Sequence, residues 1–358
     1  MKTLNLTLLL LILAFFTSLR AQDTEEEESS KLQISGSVDT YYKYDFSGTA
    51  NIPTSFGDEQ NSLSIGMLDL TFEKAEGKAS FLGEIAFGPR NAGSAGPGPI
   101  GYVVGEGENK TEITAFAPRI QNLYVSYAFT DKLSLTGGYM GTFVGYEIIS
   151  PTGNFNYSTS YLFTNGPFQN AGVKLDYAFS DKFAVMVGLF NPWNVYTADP
   201  EIGPTSIGAQ VYVSPVDGWD AYVNFTNGAS GMEFDLTTTF QVSDALMIGL
   251  NAASYSDRAD TASTFAGAAA YLNYALTDGA ALGLRYEYFK SNSTIGILSS
   301  TADASVNAIT LSANLGKGPL ILIPEVRYDA ASEAIFVDAA GTATKSAAQV
   351  LVAAVFSF

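Results

Sequence analysis

Two amino-acid types are absent from this chain of 358 residues, which contains no cysteine and no histidine. Without cysteine the fold takes no stability from disulfides. Without histidine the chain has no Ser–His–Asp or Cys–His catalytic arrangement and no zinc site with histidine ligands. Together with the β-barrel predicted below, these absences lead us to expect no enzyme activity, no catalytic residues, no metal site and no cofactor.

Long apolar runs are also absent, except near the N-terminus, where residues 4–16 are apolar apart from Asn5 and Thr7. Lys2 precedes this run and small residues follow it, as is typical of a secretory signal peptide. The run is shorter than the ~20 residues that a helix needs to cross a bilayer, so we favour a cleaved signal over an anchor helix. The sequence predicts a signal peptide over residues 1–21, and any later membrane crossing must use strands.

Basic residues are few, with 18 Lys and Arg against 36 Asp and Glu, which gives a formal net charge of −18. Such a charge repels nucleic acid and attracts cations, so we expect no nucleic-acid partner. Residues 22–30 are mostly acidic or polar. We interpret them as a solvated N-terminal tail without a binding role.

Over residues 31–358, apolar residues alternate with other residues. At the C-terminus Val350, Val352, Ala354, Phe356 and Phe358 fall on one face. A period of two residues indicates a β-strand. Because similar runs continue without a clear linker, we predict one all-β domain, a transmembrane antiparallel β-barrel.

Short turns and longer loops alternate between the runs, which sets the number of strands. Seven tight turns are predicted, at 75–77, 130–132, 180–182, 215–218, 243–244, 277–279 and 316–318. With eight longer loops they connect about sixteen strands, so both termini lie on the periplasmic side and the longer loops are extracellular. A barrel of this size leaves an aqueous channel.

The face of the strands opposite the apolar one is charged. This favours a membrane barrel over a soluble β-protein, which would bury its apolar face. Aromatic residues lie near the tight turns, where a membrane girdle belongs, and charges of both signs occupy the opposite face. We interpret Glu233 and Asp235 as part of this lining rather than as an acid–base pair. Its excess of carboxylates predicts a preference for cations. The predicted pore lining consists of Asp39, Lys43, Glu84, Lys174, Asp176, Asp220, Glu233, Asp235, Arg285, Glu287, Glu325 and Arg327.

One long loop, residues 144–170, is rich in aromatics and carries a single charge, Glu147. Such a segment prefers to pack against the barrel wall, so we predict that it folds inward and narrows the pore rather than capping it from outside. The candidate constriction residues are Glu147, Asn154, Asn156, Tyr157, Tyr161 and Asn165.

The stretch 120–194 also carries a family resemblance. Its motifs are Gly145-Tyr146-Glu147, Asn156-Tyr157-Ser158, Gly166-Pro167-Phe168, Gly172-Val173, Tyr177 to Lys182, Asn191 and Trp193-Asn194. With these motifs the chain resembles the OmpL-like β-barrel porins common in Bacteroidetes. It departs from the family pattern at Thr159 and at Asn170-Ala171. The terminal Phe358 resembles the signal that the outer-membrane barrel assembly machinery reads. The resemblance implies a porin-like barrel and says little about the solute.

These observations predict an outer-membrane porin that allows passive diffusion of small hydrophilic solutes, with outer-membrane lipid around it. The alternative is a surface binding or adhesion protein for which the barrel is only an anchor. A barrel-embedded hydrolase would need a carboxylate or Ser–Lys scheme. The sequence leaves open the identity of the solute and whether the barrel is a monomer or a homotrimer.

Overall fold

The structure is a computed structural model, and it describes residues 31–52, 54–90, 100–104, 111–115, 119–258, 263–292, 298 and 303–358. The predicted signal peptide and acidic tail lie outside the described residues. Within the described ranges, no helix is both long and apolar enough to cross a membrane.

Antiparallel strands make up most of the described chain. In chain order they are β1 (Gln33–Asp45), β2 (Ser62–Glu76), β3 (Ala79–Phe87), β4 (Ile100–Val104), β5 (Thr111–Ala115), β6 (Arg119–Ala128), β7 (Leu133–Gly141), β8 (Gln169–Ser180), β9 (Phe183–Phe190), β10 (Ser206–Val213), β11 (Trp219–Gly228), β12 (Gly231–Gln241), β13 (Leu246–Ser256), β14 (Thr264–Thr277), β15 (Ala280–Ser291), β16 (Ala304–Leu315), β17 (Leu320–Ala331), β18 (Phe336–Val337), β19 (Ala343–Thr344) and β20 (Ser346–Ser357).

Sixteen of these strands form one closed barrel in which neighbours along the chain are neighbours in the sheet. The pairs β4–β5 and β18–β19 form separate two-stranded sheets within loops. The predicted fold class and strand number are therefore confirmed. Closure leaves no sheet edge, so each strand finds hydrogen-bond partners on both sides.

The seam between β1 and β20 closes at the last residue of the chain. Phe358 donates its N–H to the carbonyl of Gly36, and Gly36 donates to the carbonyl of Phe358, both at 3.0 Å. A Cβ on Gly36 would collide with the Asp69 carbonyl oxygen and approach the Phe358 ring at 2.9 Å. The seam therefore needs glycine at this position.

The seven short turns lie between the strands as predicted, for example 181–182 between β8 and β9. They share one end of the barrel with the start of β1 and the end of β20, and we call this end the turn side. At the opposite end, the loop side, the connections are 46–61, 88–118, 142–168, 191–205, 229–230, 257–263, 292–303 and 332–345.

The expectation of eight longer loops is wrong at one connection, because residues 229–230 form a two-residue turn between β11 and β12. The apolar alternation stops at Phe225 and resumes at Phe234, which made the intervening residues look like a loop. In the structure Thr226 pairs with Glu233, and the ladder continues to Gly228 opposite Gly231. Polar residues thus extend these strands beyond the apolar band.

Exposure alternates along the strands and separates an outward from an inward face. On β20 the side chains of Val352 and Phe356 are exposed, whereas Leu351, Ala353 and Val355 are buried. The outward face is the apolar one, as a lipid-facing wall requires. The buried apolar residues on the inward face of β20 show that the interior is not polar throughout.

Aromatic side chains cluster on the outward face near the turn side. The Tyr177 and Phe179 rings lie 4.7 Å apart, and the Phe179 and Phe183 rings 5.0 Å apart. On the next strands Trp219 lies 6.0 Å from Phe240. Rings at this level match the aromatic girdle that meets lipid headgroups.

Arginine substitutions on the outward face of β14 should have an effect that depends on depth. Ala270 lies near the middle of the strand and Leu276 near the turn side, and both are exposed. We expect Ala270→Arg to lower the free energy of unfolding by about 2–4 kcal/mol, and Leu276→Arg by about 1 kcal/mol or less, because the cost of a charge is greatest at the bilayer centre. Chemical unfolding in lipid vesicles measures both values. Equal losses would mean that this face does not cross a hydrocarbon layer.

Candidate functional site

Residues 142–168, which connect β7 to β8, fold into the barrel, and we call them the inner loop. Gly145 donates its N–H to Asp235 on β12 at 3.1 Å, and the Tyr157 hydroxyl donates to Asp39 on β1 at 2.5 Å. Because β1 and β12 are not neighbours in the sheet, a segment that bonds to both must lie inside the barrel.

Short-range hydrogen bonds shape the inner loop. The Asn154 side chain bonds both the N–H and the carbonyl of Ile148, at 2.9 and 2.6 Å. A short helix, α1 (Tyr161–Asn165), begins after Ser160, whose hydroxyl accepts the Phe163 N–H at 3.0 Å. Serine is a favoured residue before a helix for this reason.

Carboxylates of the wall accept the free backbone N–H groups of the inner loop. Glu287 accepts from Tyr161 at 2.9 Å and from Leu162 at 2.8 Å. Glu325 accepts from Tyr157 at 2.8 Å and from Ser158 at 3.2 Å. Hydrogen bonds to a charged acceptor are stronger than neutral ones, so two glutamates fix four loop residues.

Two guanidinium groups of the wall complete these contacts by donating to loop carbonyls. Arg285 donates to the Ser158 carbonyl at 2.7 Å and to the Glu147 carboxylate at 2.5 Å. Arg327 donates to the Thr159 carbonyl at 2.8 Å while it is paired with Asp329. Buried charges are tolerated only when paired and hydrogen-bonded, as these are.

Aromatic rings of the inner loop lie over glycines of the wall. Tyr146 stacks on Tyr271 with centroids 4.2 Å apart, and a Cβ on Gly249 would lie 2.5 Å from the Tyr146 hydroxyl. A Cβ on Gly283 would collide with the Phe155 ring. These glycines therefore leave space for rings close to the wall.

The buried tyrosines of the inner loop stay protonated. Burial raises the pKa of the Tyr161 hydroxyl well above its usual value, and the adjacent Asp329 raises it further. Tyr161 donates to Asp329 at 2.6 Å. Burial and Asp39 act on the pKa of Tyr157 in the same direction. Both hydroxyls thus remain donors over the physiological pH range.

The twelve residues that the sequence predicts for the pore lining all lie on the inward face, in two groups. Eight of them are almost completely buried: Asp39, Lys43, Glu233, Asp235, Arg285, Glu287, Glu325 and Arg327. The other four are partly exposed: Glu84, Lys174, Asp176 and Asp220.

Partial exposure marks where water can reach the wall. Glu84 on β3 accepts from Asn122 at 2.5 Å, and Lys174 pairs with Asp176 on β8 at 3.1 Å. Asp220 on β11 accepts the Tyr212 hydroxyl at 2.6 Å. These side chains occupy a different arc of the barrel from β15 and β17, where Glu287 and Glu325 bind the inner loop.

The candidate loop residues also differ in what they contact. Glu147, Asn156, Tyr157 and Tyr161 reach the wall; for example, Asn156 donates to Ser312 on β16 at 2.7 Å. Asn154 and Asn165 instead bond to the backbone of the loop itself.

Sequence reasoning missed several wall residues that bind the loop, among them the two carboxylates Asp329 and Asp69. Asp329 follows Arg327 on the same face, so the alternation of β17 could have revealed it. Asp69 accepts the Ser150 hydroxyl at 2.9 Å. It lies between Leu68 and Leu70 of the outward face, so the alternation of β2 could have revealed it as well.

Comparison with known proteins agrees with this barrel. Residues 31–358 match the family model described as "Putative beta-barrel porin-2, OmpL-like". The chain belongs to this family. None of the curated proteins matches it significantly.

Solved structures share the fold at low sequence identity. The outer membrane channel DcaP of Acinetobacter baumannii is 15% identical with a TM-score of 0.64, covering 94% of this chain and 100% of that one. An anion-selective porin from Comamonas acidovorans is 13% identical with a TM-score of 0.59, covering 92% and 100%. OmpT of Vibrio cholerae, in a trimer form, is 11% identical with a TM-score of 0.57, covering 92% and 100%. With the family, this fold identifies an outer-membrane channel of a bacterium.

Loss of one wall carboxylate should free the loop amides that it holds. We expect Glu287→Gln to speed hydrogen exchange at Tyr161 and Leu162 by about ten- to a hundredfold, since hydrogen bonds to charged groups contribute about 1.5–3 kcal/mol. Hydrogen–deuterium exchange of a peptide covering residues 155–168 measures the change. Glu84→Gln is the control, because Glu84 bonds Asn122 on the wall. Unchanged exchange in Glu287→Gln would mean that its carboxylate does not hold the loop.

Proposed function

We propose that this porin lets small hydrophilic solutes diffuse passively across the outer membrane, prefers cations, and is narrowed by residues 144–170. The observation that carries the proposal is a closed barrel of sixteen strands whose inward face is charged. Barrels of this strand number leave an aqueous channel when side chains alone line them.

Narrowing is supported by the attachment of the inner loop. It bonds to β1, β12, β15, β16 and β17, and its aromatic rings pack on the wall. A segment fixed at so many points takes up space in the lumen. The partly exposed residues on β3, β8 and β11 then line the path that remains open to solutes.

Cation preference is supported by the charges on that partly exposed arc. Lys174 is paired with Asp176, whereas the Glu84 and Asp220 carboxylates accept hydrogen bonds from neutral groups. Uncompensated carboxylates in a tube with low-dielectric walls concentrate cations. The fold itself does not set selectivity, since the Comamonas porin of the same fold is described as anion-selective.

Phe358 is the proposed contact for the barrel assembly machinery. Its backbone is fixed by Gly36, while its side chain is 55% exposed on the turn side. An accessible terminal aromatic side chain is available to a protein partner in the periplasm before the seam closes.

Reversal potentials in a salt gradient test the selectivity. We expect the wild-type channel to favour cations and the double variant Glu84→Gln/Asp220→Asn to favour them less, because it loses two lumen charges. The matched control Asp244→Asn/Asp278→Asn removes two carboxylates from short turns and should keep the wild-type value. Anion preference of the wild type would refute the lumen assignment.

Single-channel conductance tests the narrowing. We expect replacement of residues 148–164 by a short Gly-Ser linker to raise conductance and to admit larger sugars in liposome swelling, because the barrel ladder does not include these residues. Shortening the exposed turn at 338–342 is the control and should change neither. Unchanged conductance after the deletion would show that the loop is not the constriction. Absence of swelling with the wild type would instead favour a barrel that only anchors a surface-binding protein.

A further inference from the structure

Glu233 on β12 differs from the other buried carboxylates among the described residues, each of which accepts a hydrogen bond or forms an ion pair. Glu233 and Asp235 lie two residues apart on the inward face and are 2% and 3% exposed. Glu147 pairs with Arg285 and Asp329 with Arg327. Among the ion pairs of the described residues, none includes Glu233 or Asp235.

Neutral donors satisfy Asp235 but not Glu233. The Asp235 oxygens accept from Asn224 at 2.6 Å, from Asn251 at 2.5 Å and from Gly145. The Glu233 Oε2 atom is buried and has no hydrogen-bond partner. A buried carboxylate oxygen without a partner is costly, so the site needs a further positive group.

Two hydroxyls on the neighbouring strands also lack partners. Thr226 pairs directly with Glu233 across β11 and β12, and its Oγ1 is buried and unpartnered. Ser206 on β10 has an unpartnered Oγ that lies against Gly228, two residues after Thr226. Three neighbouring strands thus present unsatisfied oxygens, and hard cations such as Ca²⁺ prefer oxygen ligands.

We propose that Glu233 and Thr226 bind a hard cation of the calcium type, with Asp235 supplying a second negative charge nearby. Water completes the coordination, as is common for Ca²⁺. The described residues contain no group of three acidic, histidine or cysteine side chains suited to a metal. The sequence predicted no metal site because the chain has no histidine, whereas a carboxylate and a hydroxyl supply the oxygen ligands here.

The site lies where both ends of the inner loop meet the wall. Gly145 donates to Asp235, and a Cβ on Gly166 would lie 3.7 Å from Glu233 Oε1. A bound cation therefore stabilises the wall that holds the two ends of the loop. The proposal does not depend on the ion selectivity of the channel, since the bound ion is a fixed part of the wall.

Terbium luminescence provides a direct test, because Tb³⁺ binds at oxygen sites of the Ca²⁺ type and nearby aromatic rings sensitise its emission. Tyr255 pairs with Glu233 across β12 and β13, and the Trp193 ring lies 5.5 Å from Tyr255. In the refolded full-length barrel, freed of divalent ions by a chelator, we expect saturable sensitised emission that Ca²⁺ displaces. Trp193→Phe should weaken the part excited through tryptophan.

Variants connect that emission to the proposed ligands. We expect Glu233→Gln to abolish it and Thr226→Val, which keeps the side-chain shape, to weaken binding at least tenfold. Asp220→Asn is the matched control, because it removes a lumen carboxylate on β11 outside the site and should leave emission unchanged. If Glu233→Gln does not refold, Thr226→Val alone decides.

Thermal unfolding gives a second readout. Ca²⁺ should raise the unfolding temperature of the wild type and of Asp220→Asn but not that of Glu233→Gln, since a ligand that binds only the folded state stabilises it. Two results would overturn the proposal: wild type with neither emission nor a calcium-dependent shift, or Glu233→Gln and Thr226→Val that bind as the wild type does.

Discussion

The hydrocarbon layer imposes the constraint on which the rest of this structure depends: it offers no hydrogen-bond partner to a peptide group. A sheet can satisfy all its backbone groups there only by closing on itself. The chain closes with the reciprocal bonds between Gly36 and Phe358, so the last residue of the polypeptide completes the ladder. Once the wall is closed, the lipid takes the apolar side chains and the polar ones share an enclosed interior.

Inside the barrel, the backbone groups of the inner loop also need hydrogen-bond partners, and the wall supplies them. The loop has little regular secondary structure, so many of its N–H and carbonyl groups have no partner within it. Glu287 and Glu325 accept the N–H groups, while Arg285 and Arg327 donate to the carbonyls. The charges on β15 and β17 therefore bind mostly the loop, whereas the partly exposed charges of the lining lie on β3, β8 and β11.

Alternation in the sequence was enough to predict the sixteen strands, the short turns and the face on which each charged residue lies. These features depend on local periodicity, and residues such as Asp176 and Arg285 were placed on the inward side by it. Periodicity does not show what covers an inward side chain. Apolar and other residues alternate in the same way around Glu287 and Glu84. Yet Glu287 accepts hydrogen bonds from helix α1 of the inner loop, whereas Glu84 accepts one from Asn122 on the wall. Such a difference arises from contacts between residues more than a hundred positions apart, as between Tyr161 and Glu287, and no local pattern encodes it. The turn at 229–230 was missed for a related reason, because polar residues can extend a strand without extending its apolar face.

The two-residue turn 229–230 also makes the connections on the loop side of the barrel uneven in length. Every other connection on the loop side is longer, whereas β11 and β12 are joined by two residues. Trp193 and Tyr255 lie beside this turn. The Trp193 backbone N–H donates to the Ser230 hydroxyl, and the Tyr255 hydroxyl donates to the Ser230 carbonyl. Few loop residues therefore cover the barrel end between β11 and β12, and a tryptophan and a tyrosine side chain flank it instead.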